Sequence, residues 1–257
     1  MNILVPTNQI ITSSETFIQT VADSITRAVG DDIIEDIQAH HLVTGNGNAT
    51  RTWDYINTNI YYGFKSSDVI ANPTKRGPWE LLPFFERATG NIYSAMREER
   101  FSTIKKQRPG RKNAHYLDAL TNSLNGDLVA NIGQARFLDF APFEDEKIHE
   151  IVEKIFSDLN IPGNIIKHHG LILFSSQNFQ LFSLRCCVIN GDLEIVEEAD
   201  WSNYIKAGDS VVTEKVNKDD IGNDPSAGLN FKQKAKDRID QKEIGVEKKR
   251  NVEEREN

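Results

Sequence analysis

A chain of 257 residues with 39% hydrophobic and 9% aromatic side chains is long enough to bury a substantial core. Its net charge of -8, from 30 basic and 38 acidic residues, favours solubility and argues against a surface that grips nucleic acid on every side. The chain has no apolar run of about 18 residues to cross a membrane, its start MNILVPTNQIITSSE has no secretory pattern, and the adjacent cysteines Cys186 and Cys187 cannot staple distant segments. A cytoplasmic protein with no membrane partner is expected.

The first element predicted is a long helix over about 14–40. Thr12 and Glu15 have capping-box spacing, and Phe17, Val21, Ile25, Val29, Ile33 and Ile37 recur every four residues along one face. Gly30 is the place for it to bend or divide, with Asp31 as cap of a second piece. The turn Gly45-Asn46-Gly47-Asn48 follows, and Trp53, Ile56, Ile60 and Phe64 mark a second helix starting between Asn48 and Thr52. The stretch KSSDVIANPTKRGP reads as loop because Pro73, Gly77 and Pro78 interrupt it.

Residues 79–97 predict a β-hairpin turning at Thr89-Gly90-Asn91, with Pro83 tolerated at an edge or bulge. A short helix, EERFSTIKKQ, leads to a basic turn at 108–113 and to a further helix in AHYLDALTNSLN. Residues 127–143 are apolar without a period, and EDEKIHEIVEKIFSDL is an acid-led helix ended by Pro162 and Gly163. GLILFSS, NFQLFSLRCCVI and DLEIVEEA then predict a three-stranded antiparallel meander, with Asn190 and Gly191 as the positive-φ pair of its second turn. Trp201 and Tyr204 are placed to fold back over that sheet. The expected architecture is a single α+β domain over 1–212, with hairpin and meander covered by helices. Residues 213–257, dense in alternating charge and poor in apolar side chains, predict a disordered or transiently helical tail.

Charge is segregated along this chain. Residues 1–50 hold one base against six acids, residues 51–112 twelve against six, and residues 113–212 six against fifteen. The basic segment offers Lys75, Arg76, Arg87, Arg97, Arg100, Lys105, Lys106, Arg108, Arg111 and Lys112. Two readings follow: the bases pair with the flanking acids as an ordinary mixed surface, or they form one face for an anionic partner, either nucleic acid or a nucleic-acid-handling protein. The second is the functional expectation, with Arg97 to Lys112 as nucleic-acid contacts.

The Gly-rich turn before a helix is a second candidate. Gly45, Gly47 and Asn48 would let backbone N–H groups converge on an anion, with Arg51 and Asn57 on the helix and Lys75 and Arg76 as further cations. Without Gly-Lys-Ser/Thr or a preceding strand it is neither a P-loop nor a dinucleotide fingerprint, and no cofactor is expected. The doublets His40-His41 and His168-His169 lack metal-ligand spacing, and no metal site is assigned. The enzymatic alternative is a metal-dependent phosphodiesterase or nuclease near residues 45–57, although no acid-x-lysine pair stands on a predicted strand.

Overall fold

The computed structural model describes residues 9–76, 79–128 and 144–206. The tail expected from 213, and all but Asp127 and Leu128 of the apolar stretch 127–143, lie outside them.

The first helix begins one turn signal later than the Thr12 spacing implies. Ser14 is extended, and its hydroxyl accepts from the Phe17 N–H, so Ser14 is the N-cap of α1 (Glu15–Arg27). The helix does not end at Gly30: a π-turn over Ala28–Asp32 carries it into α2 (Ile33–Ala39). Gly30 sits at a close approach, since a Cβ there would stand 3.2 Å from the Phe179 carbonyl oxygen and press on it. Antiparallel contact with α3 (Asn48–Gly63) buries Ile56 and Ile60 against α1. Asn59 locks the pair by donating to Asp32 Oδ2 (2.7 Å) and to the Ser24 carbonyl (3.2 Å).

The segment read as loop contains two three-residue strands, β1 (Val69–Ala71) and β2 (Thr74–Arg76), kept short by Pro73 and the Gly77-Pro78 pair. Pro83 divides the first arm of the expected hairpin. Its outer part, β3 (Trp79–Leu81), pairs with β2 as a separate ribbon, while β4 (Phe84–Glu86) pairs with both β1 and β5 (Asn91–Arg97). Local hydrogen bonding hid these short strands, because pairing partners decide where three residues go.

Beyond β5 come α4 (Glu98–Gln107), α5 (Tyr116–Asn125) and α6 (Asp145–Leu159), then the meander β6 (His169–Gln177), β7 (Gln180–Ile189) and β8 (Ile195–Asp200). The two strand groups fuse into one six-stranded sheet ordered β1-β4-β5-β6-β7-β8. All of its pairs are antiparallel except β5–β6, which is parallel with Ile92 opposite His169 and Arg97 opposite Phe174. A parallel pair demands a long crossover, and α4, α5 and α6 lie within that connection.

Both faces of the sheet are covered, which explains why β6 is apolar without alternation. Ile172 and Phe174 enter one core with α1 and α3, and Leu171 and Leu173 enter the other with α4, α5 and α6. Phe174 is fully buried, worth about 1.5–3 kcal/mol of transfer free energy. Cys186 and Cys187 divide between the same two cores, and burial pushes both thiols up, Cys187 to about 12. They are small core side chains rather than nucleophiles.

The positive φ values at the turns of the meander do not fall on the expected Asn190-Gly191 pair. Asn178 and Phe179, with φ of 50° and 61°, form the left-handed pair between β6 and β7. Between β7 and β8 the positive φ belongs to Leu193 at 59°, while Asn190 Oδ1 accepts from the Asp192 and Glu194 N–H groups. Asn190 therefore shapes that turn through its side chain, and Gly191 keeps a negative φ.

Candidate anion-binding site

At the Gly-rich corner, α3 starts on Asn48 with Gly47 already helical. Arg51 Nη2 donates to Asn48 Oδ1 at 2.9 Å, and its guanidinium lies over Gly47, where a Cβ would meet it at 3.4 Å. Arg51 Nε stands 2.9 Å from Asp36 Oδ2 on α2, an ion pair whose angle falls outside hydrogen-bonding range. The arginine closes the turn and is neutralised by Asp36 instead of reaching for a ligand. A Cβ on Gly45 would meet the Asn48 amide at 3.0 Å, so that side chain folds inward too. Asn57 is half-buried further along α3, and Asp54 is exposed without Arg51 as its partner.

Three bases of the expected nucleic-acid face are also held internally. Lys105 Nζ lies 2.7 Å from Glu194 Oε2; Arg108 reaches Asp192 Oδ1 at 3.1 Å and the Gly191 carbonyl at 2.6 Å; Arg111 Nη2 donates to Asp118 Oδ2 at 2.5 Å. Arg108 Nε lies 3.6 Å from Asp118 Oδ1, so two guanidinium groups enclose one fully buried carboxylate. Burial pushes the Asp118 carboxyl above its ordinary value, opposed by the His115 N–H, Arg111 and Arg108. That N–H donates to Asp118 at 2.7 Å and starts α5, so the basic turn is organised from within.

The remaining bases are differently placed. Lys75 is exposed on β2, 4.0 Å from Glu80 across the ribbon, and Arg76 stands opposite Trp79 in its register. Arg100, Lys106 and Lys112 are exposed, and among the described residues no carboxylate lies within 4 Å of them in an ion pair.

Arg97 combines burial with the lack of an ion-pair partner among the described residues. It ends β5 half-buried, with its guanidinium carbon 5.2 Å from the centroid of Phe174 and Nη1 donating to Ser176 Oγ at 2.7 Å. Desolvation lowers its pKa, and the Glu99 charge opposes this, yet no carboxylate among the described residues pairs with it. The ring beneath and the serine beside it fix the plane of the guanidinium while leaving donors for a carboxylate or phosphate. Trp53 packs edge-on against the same Phe174 ring at 5.6 Å, which brings the aromatic residue of the α3 corner to the arginine that ends β5. Sequence reasoning placed Arg97 among the cations but missed Phe174 and Ser176, because a parallel pairing brings them together.

A match to a family model spans residues 11–249. The chain belongs to DUF5986, a family of unknown function. Every element described above lies within that DUF5986 match, including Arg97 and its cradle. No curated protein and no solved structure matches the chain.

Two other polar clusters are internal ties of this DUF5986 member. Buried Glu86 accepts from Ser13 (2.9 Å), Thr89 (2.8 Å) and Tyr93 (3.3 Å), and Glu197 accepts from the Ile10 and Ile11 N–H groups, fastening the segment before α1 to the sheet. On the opposite face, His169 Nε2 and Ser94 Oγ are 3.0 Å apart, and Asn125 bonds both backbone groups of His169. Burial lowers the His169 pKa to about 3, so the ring is neutral at pH 7. Ser94 is wholly buried, which denies a substrate access to this serine–histidine pair. Among the described residues no three His, Cys, Asp or Glu side chains gather within metal reach. No helix among them is long and apolar enough to cross a membrane.

Proposed function

We propose that this protein is an interaction protein that binds an anionic partner, nucleic acid or a protein that handles it, through the part of its basic segment left unpaired by the fold. The single observation that supports this reading is Arg97, a desolvated cation held in a fixed plane with no carboxylate paired to it among the described residues. A guanidinium in that state gains more from an arriving phosphate than a fully hydrated one does, because part of its desolvation cost is already met by the fold. Arg100 and Lys106 on α4 are exposed and add positive charge to the same segment, whereas Lys105, Arg108 and Arg111 are tied to Glu194, Asp192 and Asp118.

The test is the salt dependence of binding to short DNA and RNA at roughly 50 and 200 mM salt, where counterion release weakens a phosphate contact as salt rises. The parent protein is expected to bind at low salt, and a variant with Arg97→Ala, Arg100→Glu and Lys106→Glu to lose about tenfold or more while melting like the parent. No binding by the parent at low salt removes nucleic acid as a direct ligand.

A further inference from the structure

The chain leaving α4 makes a short 3-10 turn over Arg108–Gly110, and this turn is braced. Pro109 fixes one φ within it, the Arg111 N–H donates to the Arg108 carbonyl at 3.2 Å, and Arg108 Nη2 donates to the Gly191 carbonyl. Arg111 is held in turn by Asp118. Beside the turn lies an open depression of about 470 Å³, lined by Lys106, Gln107, Gly110 and Arg111. No carboxylate among the described residues lines it.

Gly110 is the informative member of that lining. Its φ is outside the left-handed region, and a Cβ built on it would meet nothing within 4 Å. Neither backbone nor packing asks for glycine there; its missing side chain leaves open the depression that Lys106 and Arg111 also line. Charge favours an anion in the same place. Five bases stand between positions 105 and 112, and Asp118, Asp192 and Glu194 hold Lys105, Arg108 and Arg111. Lys106 and Lys112 are the surplus, both exposed and neither in an ion pair among the described residues. The carboxyl end of α4 opposes an anion, but its carbonyls at Lys105 and Arg108 are occupied by the Arg108 and Arg111 N–H groups.

We infer that this depression binds a phosphomonoester, with the Lys106 ammonium meeting its charge and the guanidinium of Arg111, fixed by Asp118, forming a wall of the site. A phosphomonoester carries a charge of about -1.5 to -2 at pH 7, which matches a surplus of two bases, whereas a carboxylate or a backbone phosphodiester carries a single charge. A point charge on a lysine suits such a group, and a braced turn spends little on ordering when the ligand arrives. The site is separate from the Arg97 cradle, and Lys106 is the residue the two readings share.

Binding is measured at roughly 50 mM salt with two matched pairs of probes: adenosine monophosphate against adenosine, and a short oligothymidine with a terminal phosphate against the same chain with a terminal hydroxyl. The parent is expected to prefer the phosphorylated member, and the pair in which it does so tells a free nucleotide from a chain end. Gly110→Leu fills the depression and Lys106→Gln removes its surplus charge, and each is expected to cost that preference about tenfold or more. Neither should lower the melting midpoint, because Lys106 is exposed and position 110 is uncrowded. Arg97→Ala is expected to leave the preference intact while weakening oligonucleotide binding as a whole, so the failure of either reading shows separately. No preference for phosphate in the parent, an undiminished preference in Gly110→Leu, or its loss in Arg97→Ala overturns the site.

Discussion

The turn after α4 gathers several cations and the hairpin end of β6 meets a single one, Arg97 of β5, and the fold uses them in opposite ways. Around the turn, Arg108 and Arg111 enclose Asp118, and Lys105 joins Glu194. At the hairpin end, Arg97 is desolvated against Phe174 and held by a neutral serine. Positive charge in a sequence is therefore no measure of positive charge on offer: an acid from a distant strand or helix can consume it. The same contrast separates Arg51, claimed by Asp36, from the anion site that its position before a Gly-rich turn suggests.

The largest test of the contrast is at Asp118. Replacing it by Ala removes the buried carboxylate between two largely buried guanidinium groups, of which Arg108 keeps Asp192, and should cost about 3–5 kcal/mol, seen as a large fall in the denaturation midpoint. A loss below about 1 kcal/mol would show that the Asp118 carboxylate adds little to holding this turn.

A second test uses pH and the polar seam that α5 shares with β6. The folded His169 stays neutral down to about pH 3, whereas the unfolded chain takes up a proton below about 6.5. The unfolded state therefore binds more protons between those values, and stability should fall as pH drops, by up to about 1.4 kcal/mol per unit from this residue. Urea melts of the parent at pH 7, 6 and 5 should show a slope that His169→Gln flattens. An identical slope in the variant would mean that His169 is protonated in place.

Smaller effects are expected at the hairpin end. Phe179→Gly relieves the left-handed strain and should leave stability unchanged or raise it by up to about 1 kcal/mol, against the loss of a partly buried ring. A loss exceeding that amount would make Phe179 a structural anchor. Smallest of all, Arg97→Ala should move the melting midpoint by only a degree or two, since one hydrogen bond and one ring contact are removed and no acid is stranded. A marked destabilisation would place Arg97 with Arg108 and Arg111 as a structural base.

Much of the secondary structure was legible from periodicity and capping. The helix in EERFSTIKKQ is α4 (Glu98–Gln107), the acid-led helix is α6 (Asp145–Leu159), and the meander appears as three antiparallel strands. Ser14 displaced the Thr12 capping box because only its own side chain reaches the Phe17 N–H in the observed chain path. The candidate site was half legible. Arg97 was visible as a cation, yet nothing near it in sequence announces Phe174 or Ser176, some 80 positions away in β6. One local signal was available: Leu181 and Phe182 are adjacent apolar residues in a strand, a break in period two that foreshadows the bulge of β7 against β6.

The sequence by itself determined the helices, the meander, the apolar character of β6 and the pooling of bases between residues 51 and 112, because these follow from spacing and composition within short windows. Tertiary structure alone decided that β5 and β6 run parallel, that three-residue strands flank Pro73 and Pro83, and which bases meet an acid. The physical reason is range. Helix periodicity and turn chemistry act over a few residues, whereas strand pairing and ion pairing are settled by whichever distant groups the closed sheet brings within a few ångströms.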